Sequence, residues 1–220
     1  NTNFEIFPGE IHCLMGKNGS GKTTLLRTIM GVQNKSGGEI FLMGQNILDW
    51  STYTRAKKIA YLPQDPNALL FAETVKDEFR ITLENHKIEP QDHTKRIKSM
   101  LEDLDLYPKA NDYPRDLSVG ERQRTALGSV TVINQPIIML DEPTRGLDFE
   151  AKRKIQNLLV RWKERGASIL LVTHDVEWIY EFADRISIME SGKIINSGKP
   201  LDVLSQSDIF IPLVYTFLTG

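Results

Sequence analysis

The sequence predicts an α/β domain: a mostly parallel sheet core with an antiparallel N-terminal β part and an inserted helical subdomain. Three observations carry this. First, Ile137-Ile138-Met139-Leu140 is a continuous apolar run of four, the mark of a parallel strand buried on both faces, and residues 168–173, with apolar 169–172, read as the next buried strand. Second, residues 10–15 read as a buried strand that passes through Gly16-Lys17-Asn18-Gly19-Ser20-Gly21-Lys22-Thr23 into a helix beginning near Lys22, and strands alternating with helices imply right-handed crossovers. Third, the period turns helical from Thr74, with Val75, Phe79 and Leu83, then Ile97, Leu101 and Leu104 at helical spacing. No convincing strand appears before Asn134.

The elements follow in order. Residues 4–7 read as an edge strand entering the Pro8-Gly9 turn. Ser36-Gly37-Gly38 is a turn before a strand at 39–42, and the strand at 59–62 is stopped by Pro63. A helix at 150–165 places Ile155, Leu158, Leu159 and Trp162 on one face, and Gly166 ends it. After the strand at 168–173 come a short helix at 176–182 and a hairpin, 185–190 with 193–196, over Ser191-Gly192. The core is thus expected from 1–73 and 135–220, and the helical lobe from about 74–134. No repeat or low-complexity segment is visible.

Bulk properties narrow the function. A chain of 220 residues buries about 70% of its unfolded surface, so its core needs no covalent staple. The single cysteine, Cys13, excludes an internal disulfide and reads as an inert core residue. A net charge of −2 argues against wholesale nucleic-acid binding. No apolar run approaches the ~18 residues of a membrane span; the longest include 169–172 and Ile209-Phe210-Ile211. The chain begins at Asn1, which suggests a piece of a longer polypeptide or a trimmed chain.

The chemistry centres on residues 16–23, which fit the phosphate-loop pattern G-x-x-x-x-G-K-[ST]. Glycines let successive amides point inward, and the following helix presents its positive end to the same anion. Lys22 supplies charge to the outer phosphates and Thr23 a hydroxyl for Mg²⁺. Asp141 and Glu142 close the apolar strand at 137–140, where open sheets place their chemistry; one carboxylate suits Mg²⁺ and its neighbour suits activation of water. Leu117-Ser118-Val119-Gly120-Glu121 reads as a second, smaller phosphate site, with Ser118 capping a helix whose free amides lie at its tip.

With these residues in view, the sequence resembles the ATP-binding-cassette ATPases, the nucleotide-binding subunits of ABC transporters. In order it has Walker A at 16–23, Gln64 as the loop glutamine, Leu117 to Glu121 as the signature, Walker B at 137–142, Asp148 in the D-loop, and His174 as the switch histidine. A closer resemblance is to the energy-coupling-factor ATPases of vitamin and metal uptake. It rests on Leu62-Pro63-Gln64-Asp65-Pro66-Asn67, Leu70-Phe71, Thr74-Val75, Thr144-Arg145-Gly146-Leu147-Asp148 and Thr173-His174-Asp175-Val176-Glu177, and is strongest to the second half of a tandem-fused pair. The fold implied is a P-loop NTPase of ABC-ATPase type.

The resemblance implies a head-to-tail dimer with a second ABC ATPase domain, ATP and Mg²⁺ as ligands, and an integral membrane transporter subunit as partner. The expected location is the cytoplasmic face of a bacterial or archaeal membrane. Gly16, Lys17, Asn18, Gly19, Ser20, Gly21, Lys22, Thr23 and Thr24 are the implied ATP-binding residues, with Lys22 and the amides of 18–24 on the phosphates. Thr23, Gln64 and Asp141 hold Mg²⁺; the implied catalytic residues are Glu142, which polarises water, His174, which contacts the γ-phosphate, and Gln64; Ser118 and Gly120 reach the partner's nucleotide.

Several residues keep a second reading. Gln64 and His174, taken alone, are ordinary loop and strand-end polar groups. Asp148 also suits a helix cap. Leu69, Leu70 and Phe71 fit either core or a surface docking a membrane subunit. Lys152-Arg153-Lys154 reads as a solvated helix face. Val119 stands where the family usually has glycine: at φ > 0 it costs about 1–3 kcal/mol, as a first helical residue little. Glu121 replaces the usual glutamine. The family's adenine-stacking aromatic lies upstream of this chain, so Phe4 and Phe7 are not given that role. The alternative function, a non-transport ABC ATPase acting on ribosomes or DNA, ranks lower. The interval between Gln64 and Leu117 is short and lacks sustained heptads, and no long charged linker is visible. A switch GTPase would need an Asn-Lys-x-Asp, which is absent.

Overall fold

The computed structural model describes residues 2–33 and 37–205. β1 (Ile11–Met15) is buried along its whole length, and α1 (Lys22–Met30) leaves the loop that follows it. β2 (Phe41–Leu42) and β3 (Gln45–Asn46) form a small antiparallel hairpin. α2 (Thr52–Ala56) is capped by Ser51, whose side chain accepts from the Thr54 amide, and leads to β4 (Ile59–Leu62). α3 (Val75–Asn85), α4 (Pro90–Asp103) and α5 (Val119–Thr131) make up most of the stretch before β5 (Ile137–Asp141). Then come α6 (Phe149–Glu164), β6 (Ser168–Val172), α7 (Val176–Ile179), β7 (Arg185–Glu190), β8 (Lys193–Gly198) and α8 (Pro200–Ser205).

The six-stranded sheet has the order β4-β5-β6-β1-β7-β8. Every pairing is parallel except that of β8, which runs back along β7 with an irregularity between Ile188 and Met189. Because strand side chains alternate, each strand feeds two cores. Leu14, Ile59, Met139, Leu170 and Val172 pack with Leu26 and Met30 of α1 on one face. Cys13, Leu62, Leu140 and Leu171 pack with Leu127 of α5, Ile155 and Leu159 of α6, and Ile179 of α7 on the other. Each fully buried aliphatic side chain contributes roughly 1.5–3 kcal/mol. Cys13 is one of them, and burial pushes its thiol further up, away from the reactive thiolate. His12 is buried and pushed down to about 3, first by desolvation and then by Arg185, so the strand carries a neutral ring.

Two clamps fix the shape around the sheet. Arg55 is 4% exposed and donates to five carbonyls: Trp50, Thr28, Ile29, Ile47 and Leu48. It thereby finishes the end of α1 and ties it to the segment before α2. Asp103, at the end of α4, accepts from Arg165 at 2.9 Å, and its carbonyl accepts from Arg161 at 2.8 Å, joining the helical stretch to the end of α6.

Some expectations need correction. Residues 4–7 form no strand. Their side chains do alternate in burial, but the segment packs through side chains rather than a ladder. Phe4 stacks on His12 at 4.7 Å, Arg185 lies 4.4 Å over the Phe7 ring, and the Phe7 amide donates to Glu10 Oε1. The strand expected at 39–42 is shorter, and the helix expected at 176–182 stops at Ile179. Lys152 is not simply solvated, since its ammonium pairs with Asp175. Leu70 is core at 3% exposed, whereas Phe71 is 68% exposed. Ser36 and 209–211 lie outside the described residues.

Candidate functional site

Parallel strands all end at the same edge of a sheet, so their following loops converge there. The loop after β1, Gln64 after β4, and Asp141 and Glu142 at the end of β5 meet at that edge. They form a cleft of about 370 Å³ lined by Asn18, Gly19, Gly21, Lys22, Thr23, Thr24, Gln64, Asp141, Glu142 and Val172. Gly16, Lys17 and Ser20 form the base of the loop instead. Gly192 N donates to Ser20 O at 2.8 Å, and Ser20 N donates to Lys17 O at 3.1 Å, so the loop is tied to the β7–β8 turn and to itself.

The charged groups are held in defined positions. Lys22 Nζ donates to Gly16 O at 2.8 Å and Lys17 O at 3.0 Å. Burial lowers its pKa, opposed by the negative charges of Glu142 and Asp141. Thr23 Oγ1 donates to Asp141 Oδ2 at 2.8 Å. Asp141 is 1% exposed, and burial raises its pKa against the opposing Thr23 bond. Glu142 adopts φ 52°, which turns its side chain out of the strand's alternation. Such backbone is costly for a side-chain-bearing residue and clusters at functional sites. Glu142 Oε1 meets His174 Nδ1 at 2.9 Å, while Oε2 is buried with no hydrogen-bond partner.

Ser118 and its neighbours stand apart from the cleft lining. Ser118 is the exposed N-cap of α5 in a full capping box: its hydroxyl accepts from Glu121 N, and Glu121 Oε2 accepts from Ser118 N at 2.9 Å and from Ser118 Oγ at 2.7 Å. Those bonds, the hydroxyl's first, lower the Glu121 pKa. Glu121 is therefore the partner that orients Ser118. Val119 is the first residue of α5 and keeps negative φ, so valine adds little strain. Leu117 is buried beneath the tip. Gly120 lets α5 approach α6: a Cβ there would lie 3.0 Å from Ala151 Cβ. Asp148 caps α6 by accepting from Ala151 N at 2.8 Å.

A glycine-rich loop between the central strand and its helix, with carboxylates closing the next strand but one, defines a P-loop nucleotide-binding domain. The comparisons with known proteins narrow this. The family model described as ABC transporter matches residues 1–145. A putative ABC transporter ATP-binding protein of Methanosarcina mazei is 36% identical over 203 residues, 92% of this chain and 34% of its own length. One from Clostridium tetani is 35% identical over 211 residues, 96% of this chain and 48% of its own. The chain spans about a third to a half of the length of these curated relatives. Among solved structures, cbiO1 from Clostridium perfringens, part of the ABC transporter complex cbiONQ, superposes with TM-score 0.86 and 27% identity over 99% of this chain and 90% of that one. The ATP-binding cassette MJ0796, solved as a dimer in a post-hydrolysis state with ADP and Pi, gives TM-score 0.81 and 30% identity over 91% and 89%. The chain belongs to the ABC transporter family and has the ABC ATPase fold.

Sequence reasoning missed the groups that hold the site residues rather than line the cleft. Lys152 and Trp178 brace the loop of His174, and Arg55 closes α1. Glu121 as a box partner was legible, because Ser-x-x-Glu before a helix is the capping-box pattern.

Proposed function

We propose that this chain binds ATP with Mg²⁺ and hydrolyses it as the ATP-binding component of a membrane transporter. The observation that supports this best is the convergence at one sheet edge of the amide loop, Lys22, the Thr23–Asp141 pair and the Glu142–His174 pair. The loop amides and Lys22 grip the phosphates; hydrogen bonds to charged groups contribute about 1.5–3 kcal/mol each.

The donor set fits Mg²⁺. Thr23 Oγ1 and Asp141 Oδ2 are adjacent hard oxygens, with Gln64 lining the same cleft. Mg²⁺ at such a site is bound by one or two protein oxygens and takes the rest of its shell from phosphate and water. Thr23, Asp141 and Gln64 are the residues that would hold it, and it would supply charge neutralisation at the phosphates.

Glu142 is the general base. Its carboxylate accepts a proton from water as that water's oxygen bonds to the γ-phosphorus; the bond to the β–γ bridging oxygen breaks, giving ADP and phosphate. His174, held against Glu142, contacts the γ-phosphate. Ser118 and the Gly120 amide, exposed at the tip of α5, complete the opposing site of a second ABC ATPase domain. This agrees with the dimeric state of MJ0796. Exposed Phe71, beyond buried Leu70, suits a membrane subunit; among the described residues no helix is long and apolar enough to cross a membrane. The likeness to cbiO1 and the 62–67 segment favour an energy-coupling-factor importer of a vitamin or metal ion.

The test is Glu142→Gln. Nucleotide binding is retained, hydrolysis falls about 10²–10⁴-fold, and a nucleotide-bound dimer accumulates on size-exclusion chromatography. Unchanged turnover removes Glu142 from this role.

A further inference from the structure

His174 is poorly held by its own side chain. The imidazole is 70% exposed and touches the protein through Glu142 Oε1. Its position therefore depends on its backbone, and that backbone is braced from α6. Asp175, the next residue, uses both carboxylate oxygens. Oδ1 accepts from Trp178 N at 3.1 Å and caps α7, while Oδ2 accepts from Lys152 Nζ at 2.5 Å. The Asp175 amide donates to Thr173 Oγ1 at 3.1 Å. A second tie runs the other way, with Trp178 Nε1 donating to Lys152 O at 3.2 Å. Lys152 lies in the first turn of α6, its amide bonded to the Asp148 carbonyl at 3.0 Å. The ammonium is 30% exposed and the Asp175 carboxylate 20% exposed, so the pair is partly desolvated and less screened than a free surface pair.

We infer that Lys152 is a positioning residue for His174. Through Asp175 it fixes the His174 backbone relative to α6, and so places the imidazole against Glu142. The inference rests on the proposed role of the Glu142–His174 pair. Lys152 itself does not line the cleft. A lysine that only solvates a helix face, as the run 152–154 suggests in sequence, leaves His174 indifferent to its removal.

The experiment compares Lys152→Met, Lys152→Arg and the parental chain. Lys152→Met keeps the apolar stem and the Trp178 tie to the backbone carbonyl. An isolated, partly exposed ion pair is worth little to folding, so its melting temperature stays within ~4 °C of the parental value. In Mg·ATP turnover kcat falls about 10-fold to 10²-fold, the scale of a small misplacement of a reacting group, while KM changes less than ~2-fold. Lys152→Arg restores kcat to within ~3-fold. A second readout needs no turnover: the His174 ring signal in a ¹H–¹³C spectrum of the nucleotide-free chain shifts or broadens in Lys152→Met and returns in Lys152→Arg. An unmoved His174 signal in Lys152→Met overturns the inference, as does unchanged kcat. If Glu142→Gln turns over normally, the catalytic reading fails separately, and the spectrum still decides whether Lys152 places His174.

Discussion

Replacing Gly16 by alanine is a severe test of how the phosphate loop is built. Gly16 follows β1 directly with φ 149°, and a Cβ there would sit 2.2 Å from the Met189 carbonyl oxygen and 2.9 Å from Ser20 Oγ. The first neighbour is main chain of β7, one residue past the last pair of its parallel ladder with β1 and held on the far side by the pairing of Met189 with Ile194 of β8. It must retreat by more than ~1 Å to regain ordinary contact, which breaks close packing in the sheet. We expect a cost of at least about 4 kcal/mol, the scale of severe overpacking, added to backbone strain. At about 2–4 °C per kcal/mol the melting temperature falls by roughly 8–16 °C or more. Gly19→Ala is the control. Gly19 has φ 81° but nothing within 4 Å of a Cβ, so only backbone strain of about 1–2 kcal/mol applies. Its melting temperature falls by about 2–8 °C. Thermal unfolding followed by circular dichroism in nucleotide-free buffer measures both. If Gly16→Ala melts within ~5 °C of the parental chain, or no lower than Gly19→Ala, the steric reasoning is refuted.

Other expectations follow from the same structure. Arg55→Ala removes a buried guanidinium and its bonds to five carbonyls, costs about 3–5 kcal/mol, and lowers the melting temperature by roughly 6–20 °C; Arg55→Lys does not rescue it, because an ammonium cannot reproduce the guanidinium fork. Glu78 is 2% exposed and accepts from Ala72 N at 2.7 Å, with burial raising its pKa. A carboxyl raised in the folded state holds its proton more tightly there than when unfolded. The stability it contributes is therefore present at low pH and lost as pH rises through the carboxylate range. Glu78→Gln lacks this titration, so its melting temperature relative to the parental chain rises between pH ~4 and neutrality. Phe71→Ala changes the melting temperature by less than ~2 °C, since an exposed ring contributes within about ±0.5 kcal/mol, and spares Mg·ATP turnover while weakening association with the membrane subunit in pull-down. A large loss of stability shows instead that the ring is core.

The elements most legible in the sequence were those dictated by local rules. A continuous apolar run reports a strand covered on both faces, and β1, β5 and β6 are buried almost throughout. Ser118 and Asp148 cap their helices as their types require, because an N-cap needs only a side-chain oxygen and the next two or three amides. Gly166, at φ 96°, ends the α6 segment as expected. The segment at 4–7 misled because alternation is also what a chain shows when it lies along a surface and inserts every second side chain. Pairing depends on a neighbouring strand, which alternation does not report.

Phosphate-loop spacing, the carboxylates at a strand end, and the order of motifs are written in consecutive residues, so they are readable before any folding is known. Distances across the chain are not. Glu142 meets His174 because the adjacent strands β5 and β6 bring their following loops to one edge, Lys152 meets Asp175 where α6 packs beside the loop after β6, and Arg55 meets five carbonyls where α2 packs beside the end of α1. Charge and hydrogen-bond partners are chosen by separations of a few ångströms, and only the closed fold sets those.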